Sequence, residues 1–166
     1  MVNNIIIRKA GIDDFEQIHR IVMQVHNLHL KNRRDIYKDV NPLTIDEFKE
    51  DITSDNKLYL VAESNENVVG ICFSTIKIIT DNRILNDKKI VYIENICVDV
   101  NERKKGIGKM LYNETIKIAK NIKANSIELM VWKFNEEAIN FYKNLGMEIK
   151  NIRFEKKLCN FIDFFV

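Results

Sequence analysis

Hydrophobic and polar positions change period several times along the chain, and the changes predict alternating strands and helices. Short apolar or alternating runs predict strands at residues 4–9, 58–63, 68–79, 90–98 and 126–132. Apolar positions three or four residues apart predict helices that begin at Asp13 or Asp14, at Thr44, behind Gly106 and at Asn135. Two further segments, residues 152–158 and 161–165, are candidate final strands. The predicted order is β-α-α-β-β-β-α-β-α-β, with one more strand if the last run also pairs.

Local signals mark several helix ends and argue for a single domain. Thr44 and Glu47 have the spacing of a capping box, and Gly146 is placed to end the last helix in a left-handed conformation. The chain has one proline, Pro42, and neither a Gly/Ser-rich linker nor an internal repeat. We therefore expect one mixed α/β domain over residues 1–166, with hairpins in its first half and crossovers in its second.

Composition and charge narrow the class of protein. Apolar residues make up 46% and charged residues 30% of 166 residues, which excludes disordered and fibrous classes. No apolar run is long enough for a transmembrane helix, and the start of the chain lacks the pattern of a signal peptide. The formal net charge is only +2, which argues against a nucleic-acid or membrane-surface partner. Any basic site must therefore be local.

The three cysteines carry no recognisable spacing. Cys72, Cys97 and Cys159 stand alone in apolar surroundings, so neither a disulfide framework nor a zinc knuckle is expected. Free cysteines of this kind are typical of core positions in a reducing compartment, which predicts a cytoplasmic protein. The three histidines also lack metal-ligand spacing, and no metal is predicted.

A polar loop with two glycines follows the strand at residues 90–98 and precedes an amphipathic helix. Its residues run Arg103-Lys-Lys-Gly-Ile-Gly108. A turn from a strand into a helix leaves backbone N–H groups unpaired, and glycines allow a phosphate to approach them closely. The local basic residues add charge. This arrangement predicts a pyrophosphate-binding site; the alternative is a solvated loop with a flexible glycine pair.

Two segments resemble the GNAT N-acetyltransferase superfamily. Val98-Asp-Val-Asn-Glu-Arg-Lys-Lys-Gly-Ile-Gly-Lys-Met-Leu is similar to the family's acyl-CoA motif, R/Q-x-x-G-x-G/A before a helix. Asn135-Glu-Glu-Ala-Ile-Asn-Phe-Tyr-Lys-Asn-Leu-Gly-Met147 resembles its N-x-x-A-x-x-F-Y-x-x-x-G-F, with Met147 in place of the usual Phe. The resemblance extends over about residues 5 to 158. It implies a mostly antiparallel central sheet flanked by helices and transfer of an acetyl group from acetyl-CoA to an amine.

The resemblance also implies where the cofactor binds. Backbone amides of residues 103–109 would hold the pyrophosphate, and the strand that ends near Val98 would pair with the pantetheine arm. Asn135 would contact that arm, and the Tyr142 hydroxyl would lie near the CoA sulfur. The implied cofactor-binding set is Ile96, Cys97, Val98, Arg103, Lys104, Lys105, Gly106, Ile107, Gly108, Lys109, Asn135, Ala138 and Tyr142.

Glu94 is a candidate general base. It interrupts the apolar strand Ile90-Val-Tyr-Ile-Glu-Asn-Ile-Cys-Val98, where an isolated carboxylate must face a cleft, find a partner or take up a proton. The alternative is a solvent-facing edge residue. Strand alternation puts its neighbour Asn95 on the opposite face. Tyr92-Ile-Glu-Asn95 also resembles the Tyr-Leu-Glu-Asp of polyamine acetyltransferases, where that Glu is implicated as base.

Tyr142 is a candidate acid for the departing thiolate, because a phenol can donate a proton. Helical spacing alone favours a core tyrosine with its hydroxyl at the edge, and the family's Phe-Tyr pair favours the catalytic role. His29 and Tyr37, with Glu94, fall where the family binds its acceptor, although a surface or satisfied histidine is the alternative. Trp132 is expected to pack. The sequence shows no acidic cluster that would favour a polyamine acceptor.

Three functions remain distinct possibilities at this stage. The first is an N-acetyltransferase with direct attack of a small-molecule or peptide amine in a ternary complex, Glu94 as base and Tyr142 as acid. The second is a non-catalytic acyl-CoA sensor that would need neither side chain. The third, nucleic-acid binding, is opposed by the balanced charge. The apolar terminus, residues 161–166, completes the sheet or contacts a second subunit, which suggests a homodimer.

Overall fold

The computed structural model describes residues 4–158. Within that range the chain forms five strands and four α-helices, in the order β1-α1-α2-β2-β3-β4-α3-β5-α4. The strands are β1 (Ile5–Lys9), β2 (Lys57–Ser64), β3 (Asn67–Ile79), β4 (Lys88–Val98) and β5 (Ser126–Leu129). The helices are α1 (Phe15–Asn32), α2 (Ile45–Thr53), α3 (Ile107–Asn121) and α4 (Glu136–Asn144). The element order predicted from the sequence is confirmed as far as α4.

The strands form one sheet in the order β1-β2-β3-β4-β5. The first four pair antiparallel through short connections, and β5 joins β4 in parallel after the α3 crossover. This is a mixed, mostly antiparallel sheet flanked by helices, so the predicted fold class is confirmed. Residues 4–134, which contain the sheet, form one compact unit, and residues 135–158 belong to a second. The assignment of residues 1–166 to one domain stays a prediction.

Helices α1 and α2 cover one face of the sheet. Because alternate strand residues point to opposite faces, one set from β2, β3 and β4 meets these helices and forms the main core. Its buried members are Ile18, Ile21, Leu43, Phe48, Tyr59, Val61, Val68, Ile71, Phe73 and Cys97. Phe48 of α2 is fully buried and lies near Tyr59 of β2, with ring centroids 6.1 Å apart.

Helix α3 covers the other face and approaches the sheet most closely at Gly70 of β3. A Cβ atom there would lie 3.0 Å from Ile107 Cγ2 and 3.2 Å from both Leu111 Cδ1 and the Cys97 carbonyl oxygen. Deeper along α3, the hydroxyl of buried Thr115 lies 3.3 Å from Cys72 Sγ. The missing side chain at Gly70 therefore lets the first turn of α3 lie directly against the strand.

The predicted helix starts are confirmed, with one difference in detail. Thr44 Oγ1 accepts from the Glu47 N–H at 3.3 Å, and the Thr44 N–H donates to Glu47 Oε2 at 2.8 Å, so the capping box forms. Asp14 precedes α1, but its carboxylate does not cap the helix. It accepts instead from Gly11 N–H and from Arg8, and Arg8 also bonds Glu63. A short 3-10 turn at Ile12–Asp14 leads into the helix.

The second unit, taken by itself, contains α4 and the segment that follows it. Gly146 has φ +82°, as predicted for the residue after the helix. The strand predicted at residues 152–158 is wrong, because this segment has neither helix nor strand and Phe154 is 89% exposed. An alternating pattern gives strand propensity only, and a strand also needs a partner strand with free edge groups. The candidate strand at 161–165 lies outside the described residues.

Two of the three cysteines can be placed. Cys72 and Cys97 are free and buried, which confirms the core positions predicted for them, and Cys159 lies outside the described residues. Burial raises the pKa of Cys97 to about 11 and also raises that of Cys72, so neither thiol is activated. None of the helices between residues 4 and 158 has the length and apolar character that a membrane crossing requires.

Candidate active site

Glu94 lies at a β-bulge in the centre of β4. Phe73 of β3 faces Asn95, but the next residue, Ser74, faces Ile93, so Glu94 is an extra residue on β4. The bulge breaks the alternation of side chains along the strand. Glu94 and Asn95 consequently line the same cavity. The prediction that Asn95 faces the other way is therefore wrong, because it assumed an unbroken two-residue period.

The Glu94 carboxylate is held by two neighbouring strands. Thr75 of β3 donates its hydroxyl to Glu94 Oε1 at 2.6 Å, and Lys57 Nζ of β2 lies 3.6 Å from the same oxygen. Lys57 Nζ is also 3.8 Å from Asp51 Oδ2 on α2. The Glu94 side chain is 35% exposed, so it is neither buried in the core nor fully open to solvent. This position fits the cleft-facing carboxylate predicted from the sequence.

The cavity around Glu94 has a volume of about 370 Å³ and an acidic wall. Glu47, Glu50 and Asp51 of α2 line it together with Glu94, and this group of residues is called the acidic cavity below. Its other lining residues are apolar or uncharged: Val22, Pro42, Leu43, Tyr59, Phe73 and Asn95. The expectation that the chain has no acidic cluster is therefore wrong. The signal was the spacing of the three α2 carboxylates, which places them on one helix face.

Two stacked aromatic rings line the acidic cavity. The rings of Tyr59 and Phe73 stack with centroids 3.9 Å apart, and the Tyr59 hydroxyl donates a hydrogen bond to Asp51. Burial and this hydrogen bond raise the pKa of Tyr59 far above its usual value. Tyr59 therefore remains a neutral donor, which holds Asp51 in place across the α2–β2 contact.

Beyond Glu94, none of the described strands pairs with one edge of β4, which we call the open edge. The parallel pairing between β4 and β5 runs from Ile90 opposite Ser126 to Ile93 opposite Leu129 and goes no further. The following residues, including the predicted Ile96, Cys97 and Val98, pair with β3 on their other side. Backbone polar groups on the unpaired edge need partners, and an extended ligand chain with amide groups can supply them.

The loop after β4 forms a group of unpaired amides at the start of α3. Met110 N–H makes the first hydrogen bond of the helix, to the Gly106 carbonyl at 3.1 Å. None of the described residues accepts from the backbone N–H groups of residues 103–109, which we call the amide cradle. Lys104 and Gly106 have φ +63° and +81°, so the chain turns through two left-handed positions here. A Cβ at Gly106 would meet nothing within 4 Å, which leaves open space beside the amides.

The side chains of the cradle differ in their contacts. Arg103 Nε donates to the Val98 carbonyl at 3.4 Å, and Lys105 Nζ lies 2.7 Å from Glu102 Oε2. Lys104, Gly108 and Lys109 complete the predicted segment, while Ile107 is buried against the sheet. Unpaired amides, two glycines and a basic loop at a helix N-terminus form an arrangement suited to a pyrophosphate.

Buried Asp99 anchors the base of this loop. Its carboxylate forms an ion pair with Arg20 of α1 and accepts from the Asn101 N–H at 3.0 Å. Burial by itself would raise the pKa of Asp99, but the Asn101 N–H and the Arg20 charge outweigh it, so the pKa lies below its usual value. The charged carboxylate thus links α1 to the chain between β4 and the cradle.

His29 and Tyr37 do not line the acidic cavity. They stack on each other, with centroids 5.0 Å apart, in an aromatic cluster with Trp132 and Phe134. Trp132 Nε1 donates to the Tyr37 hydroxyl at 2.9 Å, so Trp132 packs as predicted. Burial, and then the neighbouring His26, lower the pKa of His29, which keeps it neutral. A role for His29 and Tyr37 in acceptor binding stays a prediction.

The second unit carries the remaining predicted site residues. Asn135 Oδ1 accepts from the Ala138 N–H at 3.1 Å, which confirms Asn135 as the cap of α4. Tyr142 lies on the same helix with its ring edge-on to Phe141, at 5.1 Å between centroids. The cofactor contacts of Asn135 and Ala138 and the catalytic role of Tyr142 stay predictions. Across residues 4–158, no group of three or more His, Cys, Asp or Glu is arranged to hold a metal ion.

Comparison with known proteins identifies the family. The model of the acetyltransferase (GNAT) family matches residues 22–147, and the chain therefore belongs to this family. The solved tetramutant of the BH1408 protein from Bacillus halodurans is 30% identical, with a TM-score of 0.89 over 92% of this chain and 99% of that one. The family resemblance seen in the two sequence motifs is confirmed.

Curated relatives match over shorter lengths. The uncharacterized N-acetyltransferase MJ1207 of Methanocaldococcus jannaschii is 33% identical over 105 residues, which is 63% of this chain and 45% of that protein. L-ornithine N5-acetyltransferase NATA1 of Arabidopsis thaliana is 36% identical over 72 residues, 43% of this chain and 30% of that protein. The chain thus spans less than half the length of these relatives.

Proposed function

We propose that this protein is an acetyl-CoA-dependent N-acetyltransferase that acts on a small amine with a second positive charge. The observation that carries the proposal is the place of Glu94. It is a carboxylate at a bulge, in a cavity, on the strand that leads directly into the amide cradle. Membership of the acetyltransferase family supports the same reaction class. The cytoplasmic location and the homodimer remain predictions from the sequence.

The cradle and the open edge of β4 are the proposed cofactor site. The unpaired amides of residues 103–109 would bind the pyrophosphate of acetyl-CoA, with Arg103, Lys104 and Lys105 adding positive charge. The edge at Ile96–Val98 would pair with the pantetheine arm, as the family resemblance implies. Open space at Gly106 supports close approach of a phosphate to the backbone.

The proposed chemistry is direct attack of the amine on the thioester. An alkylamine is neutral at pH 7 in roughly one molecule per few thousand, so a base that removes a proton is useful. As the N–C bond forms, the N–H proton passes to Glu94, directly or through a water molecule. A β4 amide would stabilise the oxyanion. The C–S bond then breaks, and Tyr142 would give its proton to the thiolate, which leaves an N-acetyl amine and CoA.

The acidic cavity supports a cationic acceptor. Four carboxylates surround it, and the ammonium of Lys57 lies within 4 Å of two of them, Asp51 and Glu94. The remaining negative charge favours a ligand that carries a positive charge away from its reacting nitrogen. A matched pair of amines isolates this effect. We expect 1,4-diaminobutane to have a higher kcat/KM than n-butylamine by about 5- to 30-fold, which corresponds to about 1–2 kcal/mol.

Calorimetric binding of acetyl-CoA tests the cofactor site before any acceptor is known. Asn and Asp both tolerate the left-handed backbone at position 106, so Gly106→Asn and Gly106→Asp differ in one negative charge. We expect Gly106→Asp to bind at least about tenfold more weakly than Gly106→Asn, because the carboxylate would repel the pyrophosphate. Equal affinity of the two variants would place the pyrophosphate elsewhere. Absence of binding in the parent would remove the basis of the proposal.

Turnover of the amine pair tests the chemistry and the acceptor class. Glu94→Gln and Tyr142→Phe should each lower kcat by about 10²-fold or more, since each removes a proton-transfer group. Glu50→Gln should reduce the preference for the diamine, whereas Glu66→Gln in the exposed β2–β3 turn is the control. Parent-like kcat in both catalytic variants would refute their roles. Tight binding without turnover of any amine would favour the sensor function.

A further inference from the structure

Three adjacent strands bring Lys57, Thr75 and Glu94 side by side on one face of the sheet. Lys57 of β2 lies directly opposite Thr75 of β3, and Thr75 lies opposite Tyr92, two residues before Glu94 on β4. The Thr75 hydroxyl and the Lys57 ammonium both approach Oε1 of Glu94, at 2.6 and 3.6 Å. Within residues 4–158, no hydrogen bond is found at the other carboxylate oxygen, Oε2.

We propose that Thr75 and Lys57 are positioning residues that fix Glu94 through Oε1 and leave Oε2 to take the proton of the acceptor amine. This inference rests on the proposed function, because it assigns the parts of a base that the proposal introduces. A glutamate has a flexible side chain, and a partly exposed one samples several rotamers unless contacts restrain it. Two contacts on one oxygen restrain both the side chain and the plane of the carboxylate. The second oxygen then has a defined direction, which proton transfer requires.

The two positioning residues differ in how they act. The short hydrogen bond from Thr75 is directional and donates to a charged acceptor, so it sets the orientation of the carboxylate. The Lys57 ammonium lies 3.6 Å from Glu94 Oε1 and 3.8 Å from Asp51 Oδ2, in a cavity that contains three carboxylates besides Glu94. Its attraction restrains the Glu94 carboxylate at Oε1 against the repulsion of the like charges on α2.

The charges around Glu94 determine what removal of Lys57 changes. The α2 residues that line the cavity are all acidic: Glu47, Glu50 and Asp51. The Lys57 ammonium lies within 4 Å of the Glu94 carboxylate. Its removal therefore leaves this carboxylate among groups of like charge.

The test compares kcat and KM for one amine and for acetyl-CoA across matched variants at a single pH. Thr75→Val keeps the shape of the side chain and removes the donor, and Thr75→Ser restores the donor. We expect Thr75→Val to lower kcat about tenfold with an unchanged KM for acetyl-CoA, and Thr75→Ser to recover most of it. A merely structural role of Thr75 would not give this split between kcat and KM together with rescue by serine.

Lys57 is tested in the same way. Lys57→Met should lower kcat several-fold with an unchanged KM for acetyl-CoA, and Lys57→Arg should recover part of it, because it restores a positive charge beside Oε1. The matched control is Lys49→Met on α2, which removes a lysine that lies 3.8 Å from Asp46, outside the cavity. The control should leave kcat unchanged. Because the same amine and the same pH are used throughout, the ionisation of the amine cancels from every comparison.

The outcomes separate this inference from the proposed function. If Glu94→Gln keeps the parent kcat, the base itself is misassigned and the proposed function fails at that step. If Glu94→Gln is inactive while Thr75→Val and Lys57→Met keep the parent kcat, only the positioning inference is overturned. Should Thr75→Val fail to fold, as thermal melting would reveal, the kcat values of Lys57→Met and Lys57→Arg decide.

Discussion

Replacement of Gly70 by alanine is expected to destabilise the protein and to weaken its cofactor binding. The added Cβ would lie 3.0 Å from Ile107 Cγ2 and 3.2 Å from Leu111 Cδ1, inside the 3.5–4.0 Å or so that carbon atoms prefer. It would also lie 3.2 Å from the Cys97 carbonyl oxygen, a backbone atom held in the sheet. Since the sheet cannot yield, the first turn of α3 must shift away by roughly half an ångström.

The magnitude follows from two opposing terms. Overpacking of a well-filled core costs typically about 1–3 kcal/mol, and replacement of glycine by alanine restrains the unfolded chain, which returns about 0.4–1 kcal/mol. Gly70 does not have a positive φ, so backbone strain adds nothing. We expect a net loss of about 1–2 kcal/mol. For a chain of this length, that corresponds to a fall in Tm of about 3–6 °C.

Chemical denaturation and acetyl-CoA calorimetry measure the two consequences. Ile107 is the first residue of α3, and its N–H belongs to the amide cradle, so a shift of this turn should reduce acetyl-CoA affinity several-fold. Gly11→Ala is the matched control, because a Cβ there meets Asp14 Oδ2 at an ordinary 3.7 Å. The double variant Gly70→Ala/Ile107→Ala should be more stable than the sum of the single effects by about 0.5 kcal/mol or more.

Three results would refute this reasoning. A Gly70→Ala protein as stable as Gly11→Ala would mean that α3 adapts without cost and that the close approach is not tight. If stability falls by the expected amount but the affinity for acetyl-CoA is unchanged, the packing of α3 does not control the amide cradle. Additive effects in the double variant would show that the contact with Ile107 is not the source of the strain.

Two further predictions concern the same unit. Hydrogen bonds from Arg8 lower the pKa of Asp14, so its contribution to stability is present above about pH 4 and is lost as the pH falls through the lowered value. Asp14→Asn should cost about 1–3 kcal/mol at pH 7 and less at pH 3 by urea denaturation at each pH, with the exposed Asp13→Asn as control. Cys72 and Cys97 are buried and have raised pKa values, so we expect neither thiol to react with a thiol reagent before the protein unfolds. The measurement uses a Cys159→Ser protein at pH 8. Rapid modification of the native protein would contradict the core placement of the two thiols.

The element boundaries could be predicted because each depends on residues close in sequence. The strand predicted at 58–63 is β2, Lys57–Ser64, and the Thr44–Glu47 spacing gives the start of α2. Such signals act over one or two turns of chain, and the chemistry of the capping groups is local. The pattern at residues 152–158 is equally local, but a strand there would need a partner. Periodicity shows that a segment can be a strand and does not show whether another strand will receive it.

The acidic cavity could not be predicted because it is assembled by tertiary packing. Glu47, Glu50 and Asp51 lie on one face of α2, which is a usual arrangement for a solvent-exposed helix. They become part of a site only because Phe48, on the same helix, is buried near Tyr59 and holds the helix against β2. The sequence contained the carboxylates and the anchor, but not the distance between α2 and Glu94.

The two consecutive polar residues Glu94 and Asn95 were a sequence signal for the bulge. The signal is missed when strict alternation of side chains along the strand is assumed. In β4, Ile93 and Ile96 lie on the α3 side, and Cys97 lies on the α1 side. An unbroken strand would turn one of the two consecutive polar residues, Asn95, towards the apolar contact with α3, where an unpaired amide costs about 1–3 kcal/mol. One extra residue removes that cost, because it lets Glu94 and Asn95 both face the cavity. Two adjacent polar residues inside a strand that is covered on both faces therefore predict a bulge. In this protein the residue that the bulge leaves out of register is Glu94, the carboxylate proposed as base.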